Sequence, residues 1–575
     1  MEKNISAFRA GKPVFALAFA GIVLVYALLF LTLPQESIWI SDEGNRILSV
    51  QAYSANASKY LPDPFEGVTG VPPGIRAYPK PYFVQENGHW RSAYQLFFPY
   101  VASFVYTVFG RAGIAATAMV AGLLSIWMAG LLARKLFADD FRATAVMLLC
   151  AFCTPILFYS GTFLETTWAV FFAMLSARLF FHALEKKHET LTIFAGGLAA
   201  GISILFREEG FLFAFGMFAA MTLYYFSWKR IIAFCAGAAC VVLPLLIYNY
   251  LDSGSIFGMH SLVYSQLEKP ELNRFVAKLI DYSFYLVLLC LPFQPLNLVL
   301  PAVLLAGIFV CKLKRFRLPA EIMVYGFVVL CCAAGVVCNL VMEHGGVFIY
   351  QSLLDHVPLF ALCLFAAFPL FSSAKKEFRF LALVSALCIF PAPMMLNQYV
   401  LGMFWGGRHF LDIVPFLCIL SVWILTSASV EKTLKIVGYA LIAISLAANL
   451  SGYGVLRMKK NYSAEIVWEL AKPECKVIAT DVFWLPEELA WISRDKCIFL
   501  MREPDSLEQA RKLLADNGIR EFTLILGSKS RVLSNESIAR AARKMEIVPG
   551  RRFHNDRLGF FEIQVFRCSI RPDGR

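Results

Sequence analysis

VFALAFAGIVLVYALLFLTLP, residues Val14–Pro34, runs through six further residues into Ser41-Asp42-Glu43-Gly44. The run carries no charge and exceeds the about 20 apolar residues that a helix needs to cross a bilayer. Lys3, Arg9 and Lys12 precede it. A secretory signal would have a shorter apolar core and a small-residue cleavage site. The stretch therefore reads as a retained first span with a cytoplasmic N-terminus, and it places two adjacent acids at the start of the first outer segment.

The same pattern recurs along the chain. Of 575 residues, 58% are hydrophobic and only 16% charged, against roughly 25% charged in average soluble domains. Charge clusters punctuate the apolar runs. Expected spans after the first are Ala112–Ala133, Thr144–Tyr159, Leu164–Leu184, Leu191–Phe206, Phe211–Trp228 and Ile231–Tyr250. Leu296–Val310, Ile322–Met342, Leu353–Phe371, Phe380–Leu396, Phe410–Thr426 and Val437–Tyr453 follow. Two shorter runs, Tyr94–Gly110 and Leu279–Phe293, read as interfacial helices. That gives about thirteen spans, with the clusters rich in Lys and Arg on the cytoplasmic side. The net charge of +12 is then topology rather than a nucleic-acid footprint. The count places residues 35–93, Arg207, the Trp405–Arg408 turn and the C-terminal segment on the same outer side.

The expected fold is an all-α polytopic membrane domain, residues 1–455, followed by a small extramembrane α/β domain, residues 456–575. In the latter, Val477–Val482, Cys497–Met501, Phe522–Leu526 and Phe560–Phe566 read as strands. Ser506–Asn517 has helical spacing and a stop at Asp516-Asn517-Gly518. Cys475 and Cys497 could bridge in an oxidising compartment, or stay unpaired together with Cys568. No paired C-x-x-C motifs at zinc spacing occur.

The first outer loop, 35–93, is far longer than the usual helix connection of under about ten residues. It is rich in Pro and aromatics and opens on Asp42 and Glu43. Acids at a span end are often only a solvated helix terminus. On the outer side they are not needed for orientation, and a carboxylate there can take a proton from a hydroxyl at the membrane surface. Arg207, in Phe206-Arg207-Glu208-Glu209-Gly210, either snorkels beside its own acids or faces a site. Arg408 sits in a Gly-rich turn that lets backbone approach a ligand. Lys80 and Arg91 are further outer cations. Glu165 reads as a helix cap, and His89 and His260 as lone loop histidines. Glu343, His344 and His356 are weakly spaced for a metal, so no metal site is assigned, although two adjacent carboxylates could hold a divalent cation.

In its order of motifs the chain resembles the GT-C membrane glycosyltransferases, including protein O-mannosyltransferases and the lipid A aminoarabinose transferase. The matching segments are Ser41-Asp42-Glu43-Gly44-Asn45-Arg46 after the first span, and Gly88-His89-Trp90-Arg91-Ser92-Ala93-Tyr94 through Pro99. Ala129–Phe137 and Phe404-Trp405-Gly406-Gly407-Arg408-His409-Phe410-Leu411 with Pro415 complete the set. Gly407 stands where the family has Pro, and His409 where it has Tyr. The resemblance covers residues 10–455. It implies sugar transfer from a polyprenyl-phosphate donor to a lipid, glycan or protein acceptor, usually with inversion, at the outer face of a bacterial inner membrane with the C-terminal domain periplasmic. Asp42 would be the base, and Glu43 would orient it or hold the sugar. Arg207, Arg408, Arg91 or Lys80 would meet the phosphate, with Tyr94 and His409 among the substrate-binding residues.

Two other classes fit a polytopic chain. A transporter or flippase of lipid-linked sugars would carry polar residues at mid-membrane, whereas here charges avoid span centres. A non-catalytic envelope assembly protein would have no need of Asp42 and Glu43.

Overall fold

The computed structural model describes residues 2–65, 68, 71–72, 74–185, 188–267, 326, 328–330, 332–333, 353–364, 374–389, 407–527, 543–555 and 562–571. Several sequence expectations lie outside the described residues. They are the runs Leu279–Phe293 and Leu296–Val310, most of Ile322–Met342, Glu343-His344 and Phe404-Trp405-Gly406.

Six described helices are long and apolar enough to cross a membrane. They are Pro13–Leu31, Phe97–Phe137, Glu189–Phe206, Trp228–Ser253, Arg408–Thr426 and Lys432–Leu470. The chain is a multi-pass membrane protein. Large apolar side chains such as Leu17, Ile232, Ile247 and Leu251 stand exposed on these helices, as a lipid-facing surface requires, while Phe158, Phe180, Phe213, Phe380 and Phe416 are fully buried between helices. Glu189–Phe206 and Trp228–Ser253 pack backbone against backbone. A Cβ on Gly197 would run into the Phe234 carbonyl, and one on Gly237 into the Phe194 carbonyl. Small residues allow this close approach where water cannot drive association.

Two sequence expectations change. The run Thr144–Tyr159 is not one helix but Asp140–Phe152 and Ile156–Tyr159. Pro155 lacks an N–H and disfavours helix at the residue before it, and the Thr154 hydroxyl turns back to the Cys150 carbonyl at 2.6 Å. The run Tyr94–Gly110, by contrast, stays distinct from the span that follows it: the helix Phe97–Phe137 breaks at Gly110, whose φ of 59° and ψ of −147° are non-helical. Finally, Lys432–Leu470 is one helix. It runs unbroken through residue 456, from the last expected span toward the C-terminal sheet.

The first outer segment is not a loop throughout. Its opening residues form the helix Ser41–Asn56. Strands β1 (Tyr60–Leu61), β3 (Phe83–Glu86) and β4 (His89–Ser92) make a small antiparallel sheet in the order β1-β4-β3. Strand β2 (Ile75–Arg76) leaves it to join the C-terminal sheet.

That sheet has the order β2-β6-β5-β7-β9-β8. Strands β5 (Val477–Thr480), β6 (Cys497–Met501) and β7 (Glu521–Gly527) are parallel, and the helix Ser506–Asp516 crosses between β6 and β7. Strands β8 (Met545–Phe553) and β9 (Ile563–Ile570) add an antiparallel edge. The sequence reading missed β8, because VPGRR interrupts its alternation. Cys475, Cys497 and Cys568 are all free thiols. The Cys475 Sγ turns to the Glu469 carbonyl and the Cys497 Sγ to that of Pro64.

Candidate active site

The helix Ser41–Asn56 follows the buried residues Ile38, Trp39 and Ile40, and the Trp39 ring meets the Phe158 ring edge-on at 5.0 Å. This apolar anchor fixes where the helix starts. Asp42 and Glu43 fall in its first turn, where the helix dipole favours negative charge. Adjacent residues on a helix point about 100° apart, and the two acids accordingly reach different surroundings.

Glu43 is 2% exposed and fully engaged. One carboxylate oxygen accepts the Trp39 N–H at 2.6 Å. The other accepts the Phe163 N–H at 2.7 Å and the Lys460 ammonium at 3.2 Å. These bonds tie the start of the helix to the turn after Tyr159 and to the helix Lys432–Leu470. The sequence expectation had Glu43 orienting the base or holding sugar. Its carboxylate accepts from the Trp39 and Phe163 backbone and from Lys460, and none of these partners is Asp42.

Asp42 faces the other way. Its Oδ1 accepts the Tyr94 hydroxyl at 2.6 Å, and its Oδ2 lies 3.4 Å from Arg408 Nη1. Arg46, one turn on, donates to the Asp42 carbonyl at 2.8 Å and to Glu165 Oε1 at 2.6 Å. Glu165 also receives Arg207 Nη1 at 3.4 Å. Arg207 forks onto Glu209 through Nη2 at 2.6 Å and Nε at 3.1 Å. Glu209 bonds the Nδ1 of His409, whose Nε2 lies 3.4 Å from Arg408 Nε. The contacts close a ring: Asp42, Arg408, His409, Glu209, Arg207, Glu165, Arg46 and back to Asp42. Three arginines balance three carboxylates, and a neutral His409 protonated on Nδ1 satisfies both of its neighbours.

Burial alone would raise the Asp42 carboxyl. The Arg408 and Arg46 charges and the Tyr94 hydroxyl outweigh burial and hold it below the ordinary carboxylate range. Glu209 is likewise held well below its ordinary value by Arg207 and His409 despite burial. Its neighbour Glu208 goes the other way, pushed up to about 7 by burial and by the Glu209 charge. Asp42 is therefore ionised at neutral pH, and a base must be ionised to accept a proton.

An aromatic wall lines this side. Tyr94 stacks on Tyr82 at 6.2 Å and on His260 at 5.1 Å, and Arg46 lies 5.0 Å over the Tyr94 ring. His260 is not a loop residue but belongs to the helix Gly258–Leu267. Burial holds its imidazole down at about 4, so it faces Asp42 uncharged.

The structure thus brings together Asp42, Tyr94, Arg207, Arg408 and His409 from the sequence-predicted set. It places three others apart: Glu43, Arg91 and Lys80. Arg91 is fully buried and bound to Asp252 at 2.6 Å and Glu86 at 3.2 Å, with Lys59 on the same two acids. That cluster pins β4 to the helix Trp228–Ser253. Lys80 is exposed and makes no ion pair among the described residues. Glu165 stands at a helix start but makes no side-chain cap there, its carboxylate going to the arginines. Sequence reading missed Arg46 and Glu209. The spacing of Arg46 four residues after Asp42 was a usable signal, since such pairs share a helix face. Nothing local marked Glu209 apart from Glu208. Among the described residues no three His, Cys, Asp or Glu side chains converge at metal-binding distance.

No protein-family model matches the chain, and no curated protein matches it. Solved structures do. The chain is similar to ArnT from Cupriavidus metallidurans in the apo state, at 11% identity over 97% of this chain and 98% of that one, with a TM-score of 0.49. It is similar to the same protein bound to undecaprenyl phosphate, at 12% identity over 96% and 97%, TM-score 0.48. The oligosaccharyltransferase of Archaeoglobus fulgidus in the apo form aligns at 14% identity over 88% of this chain and 69% of that one, TM-score 0.45. These structural neighbours are GT-C glycosyltransferases.

Proposed function

We propose that this chain transfers a sugar from a polyprenyl-phosphate-linked donor to an acceptor hydroxyl at the outer membrane face, with Asp42 as general base. The observation that carries the reading is the setting of Asp42. It is an ionised, buried carboxylate aimed by the Tyr94 hydroxyl and faced by Arg408 within a charge-balanced ring. The motif order of the sequence, from Asp42 through Tyr94 to Arg408, supports it.

In this reading Asp42 takes the proton as the acceptor oxygen forms its bond to the anomeric carbon. The bond from that carbon to the phosphate oxygen breaks, and its electron pair leaves with the lipid phosphate. Charge grows on the phosphate, and preorganised donors stabilise such charge without reorganising. Arg408 is the residue for that task. Its reach to Asp42 is 3.4 Å, and its planar fork matches phosphate oxygens. Arg207 and Arg46 are held by shorter bonds to Glu209 and Glu165, and their role is to hold the ring. The stacked Tyr82, Tyr94 and His260 rings offer a platform for a sugar face.

The test is transfer from a polyprenyl-phosphate sugar donor by Asp42→Asn protein shown to insert and fold normally. Loss of transfer is expected. Transfer at the wild-type rate would end the base assignment. Membrane translocation of donor without transfer by the wild-type protein would favour a flippase.

A further inference from the structure

The outer domain reaches the first turn of the Asp42 helix through its short helix Leu485–Glu488, which follows β5. Three contacts seat the segment. A Cβ on Gly44 would collide with the Glu487 carbonyl, so the two backbones touch at Gly44. Lys459 of the helix Lys432–Leu470, fully buried, grips both oxygens of Glu488 at 2.8 and 2.6 Å. Arg111 reaches the Trp491 carbonyl at 3.2 Å and lies 5.2 Å over its ring.

Glu487 is the odd member of this interface. It is 0% exposed, and neither carboxyl oxygen meets hydrogen-bond geometry with a described residue, although Ser41 and Asn45 lie beside it. A buried carboxyl left this way is costly to folding, and a domain that needed only to pack would be more stable with an apolar residue there. The other charged groups facing it are Asp42, on the helix it touches, and its neighbour Glu488, which Lys459 already holds.

We propose that Glu487 is a positioning residue for Asp42, and that the outer domain, seated through Glu487 on Gly44, is an obligate part of the active site. The inference rests on the assignment of Asp42 as base. Burial first, and then the Asp42 and Glu488 charges, hold the Glu487 carboxyl well above the ordinary carboxylate range. A protonated carboxyl can sit beside ionised Asp42 without repelling it, and it keeps water from that side of the base. Gly44 in the Ser41-Asp42-Glu43-Gly44 motif then has a purpose: it admits the outer domain.

The test uses the full-length protein in detergent with a polyprenyl-phosphate sugar donor. Glu487→Gln keeps the shape and neutrality, and transfer should stay within about twofold of wild type. Glu487→Ala and, separately, Gly44→Ala should each lower kcat about tenfold or more with KM for the donor little changed, because small misplacement of a reacting group is expensive in rate. Gly44→Ala should favour the helix itself, so its loss reports the lost seat rather than a weakened helix. Hydrogen exchange at residues 485–492 reads docking independently of transfer and should rise in Gly44→Ala. Raised exchange with full transfer, a Gln variant as poor as Ala, or an Ala variant as active as wild type would each overturn the proposal. If Asp42→Asn retained transfer, the base assignment itself would fail, while the exchange data would still report whether Gly44 seats the domain.

Discussion

Asp42 and Glu43 are neighbours in the chain, yet they belong to two different charge clusters. Glu43 lies in a ladder with Lys460, next to Lys459 and Glu488, in which the acids meet short and complete partners. Asp42 lies in a ring whose contact to Arg408 is long, and which also holds a histidine and an aromatic wall. Both clusters are buried and both balance charge. In the ladder, both oxygens of Glu43 and both oxygens of Glu488 accept hydrogen bonds from protein groups at 3.2 Å or less. The ring holds a base and a cation at a distance that a substrate's hydroxyl and phosphate could shorten.

Breaking the ring should cost activity, and breaking the ladder should cost the fold. The largest effect is expected for Asp42→Asn: loss of a general base typically removes about 10²–10⁴ in rate, measured as kcat in purified protein whose unfolding midpoint stays near that of wild type. Glu43→Ala should do the reverse. It leaves Lys460 buried without its carboxylate, and removing one partner of a buried pair costs about 3–5 kcal/mol. A lowered unfolding midpoint in detergent checks it, and an unchanged midpoint would erase the distinction between the clusters.

Arg408→Lys keeps the charge but loses the fork, and kcat should fall about tenfold or more, less than for complete removal of a transition-state donor. An equal loss from Arg91→Lys would contradict the separation of Arg91 from the ring. The smallest change is expected for Tyr94→Phe. The Tyr94 hydroxyl is one of the groups holding the Asp42 carboxyl down, so its removal raises that pKa. The base must be ionised, so the acidic limb of the pH–rate profile moves to higher pH and the rate near neutrality changes by only a few-fold, as expected for one hydrogen bond to a charged group. The same sign governs stability. Asp42, held down in the folded protein, stabilises it above the unfolded carboxylate range, and that contribution is lost as pH falls through the folded value.

Individual residues show what the chain made legible. Asp42, Arg207 and Arg408 could be picked from sequence because each is a charge at the outer end of an apolar run, where local composition already separates water from lipid. Glu43 was picked for the same reason and points into a different cluster from Asp42, because the direction of its side chain depends on Trp39, Phe163 and Lys460, residues drawn from 4 to 417 positions away. The placement of Arg91 was equally unreadable: its partner Asp252 is 161 residues distant. Strand β2 was unreadable because two residues of the first outer segment carry no periodicity of their own and become a strand only against β6.

The sequence by itself determined that the chain crosses a membrane many times, that charges gather at the ends of the apolar runs, and that strands and a helix follow the spans. These are sums of local transfer preferences, and a window of some twenty residues contains them. Only the tertiary structure decided which carboxylate meets Tyr94 and Arg408 and which meets Lys460. It also decided that Gly44 receives the outer domain. Those outcomes turn on pairings between distant segments under burial, where one ångström or one unsatisfied oxygen outweighs any local preference.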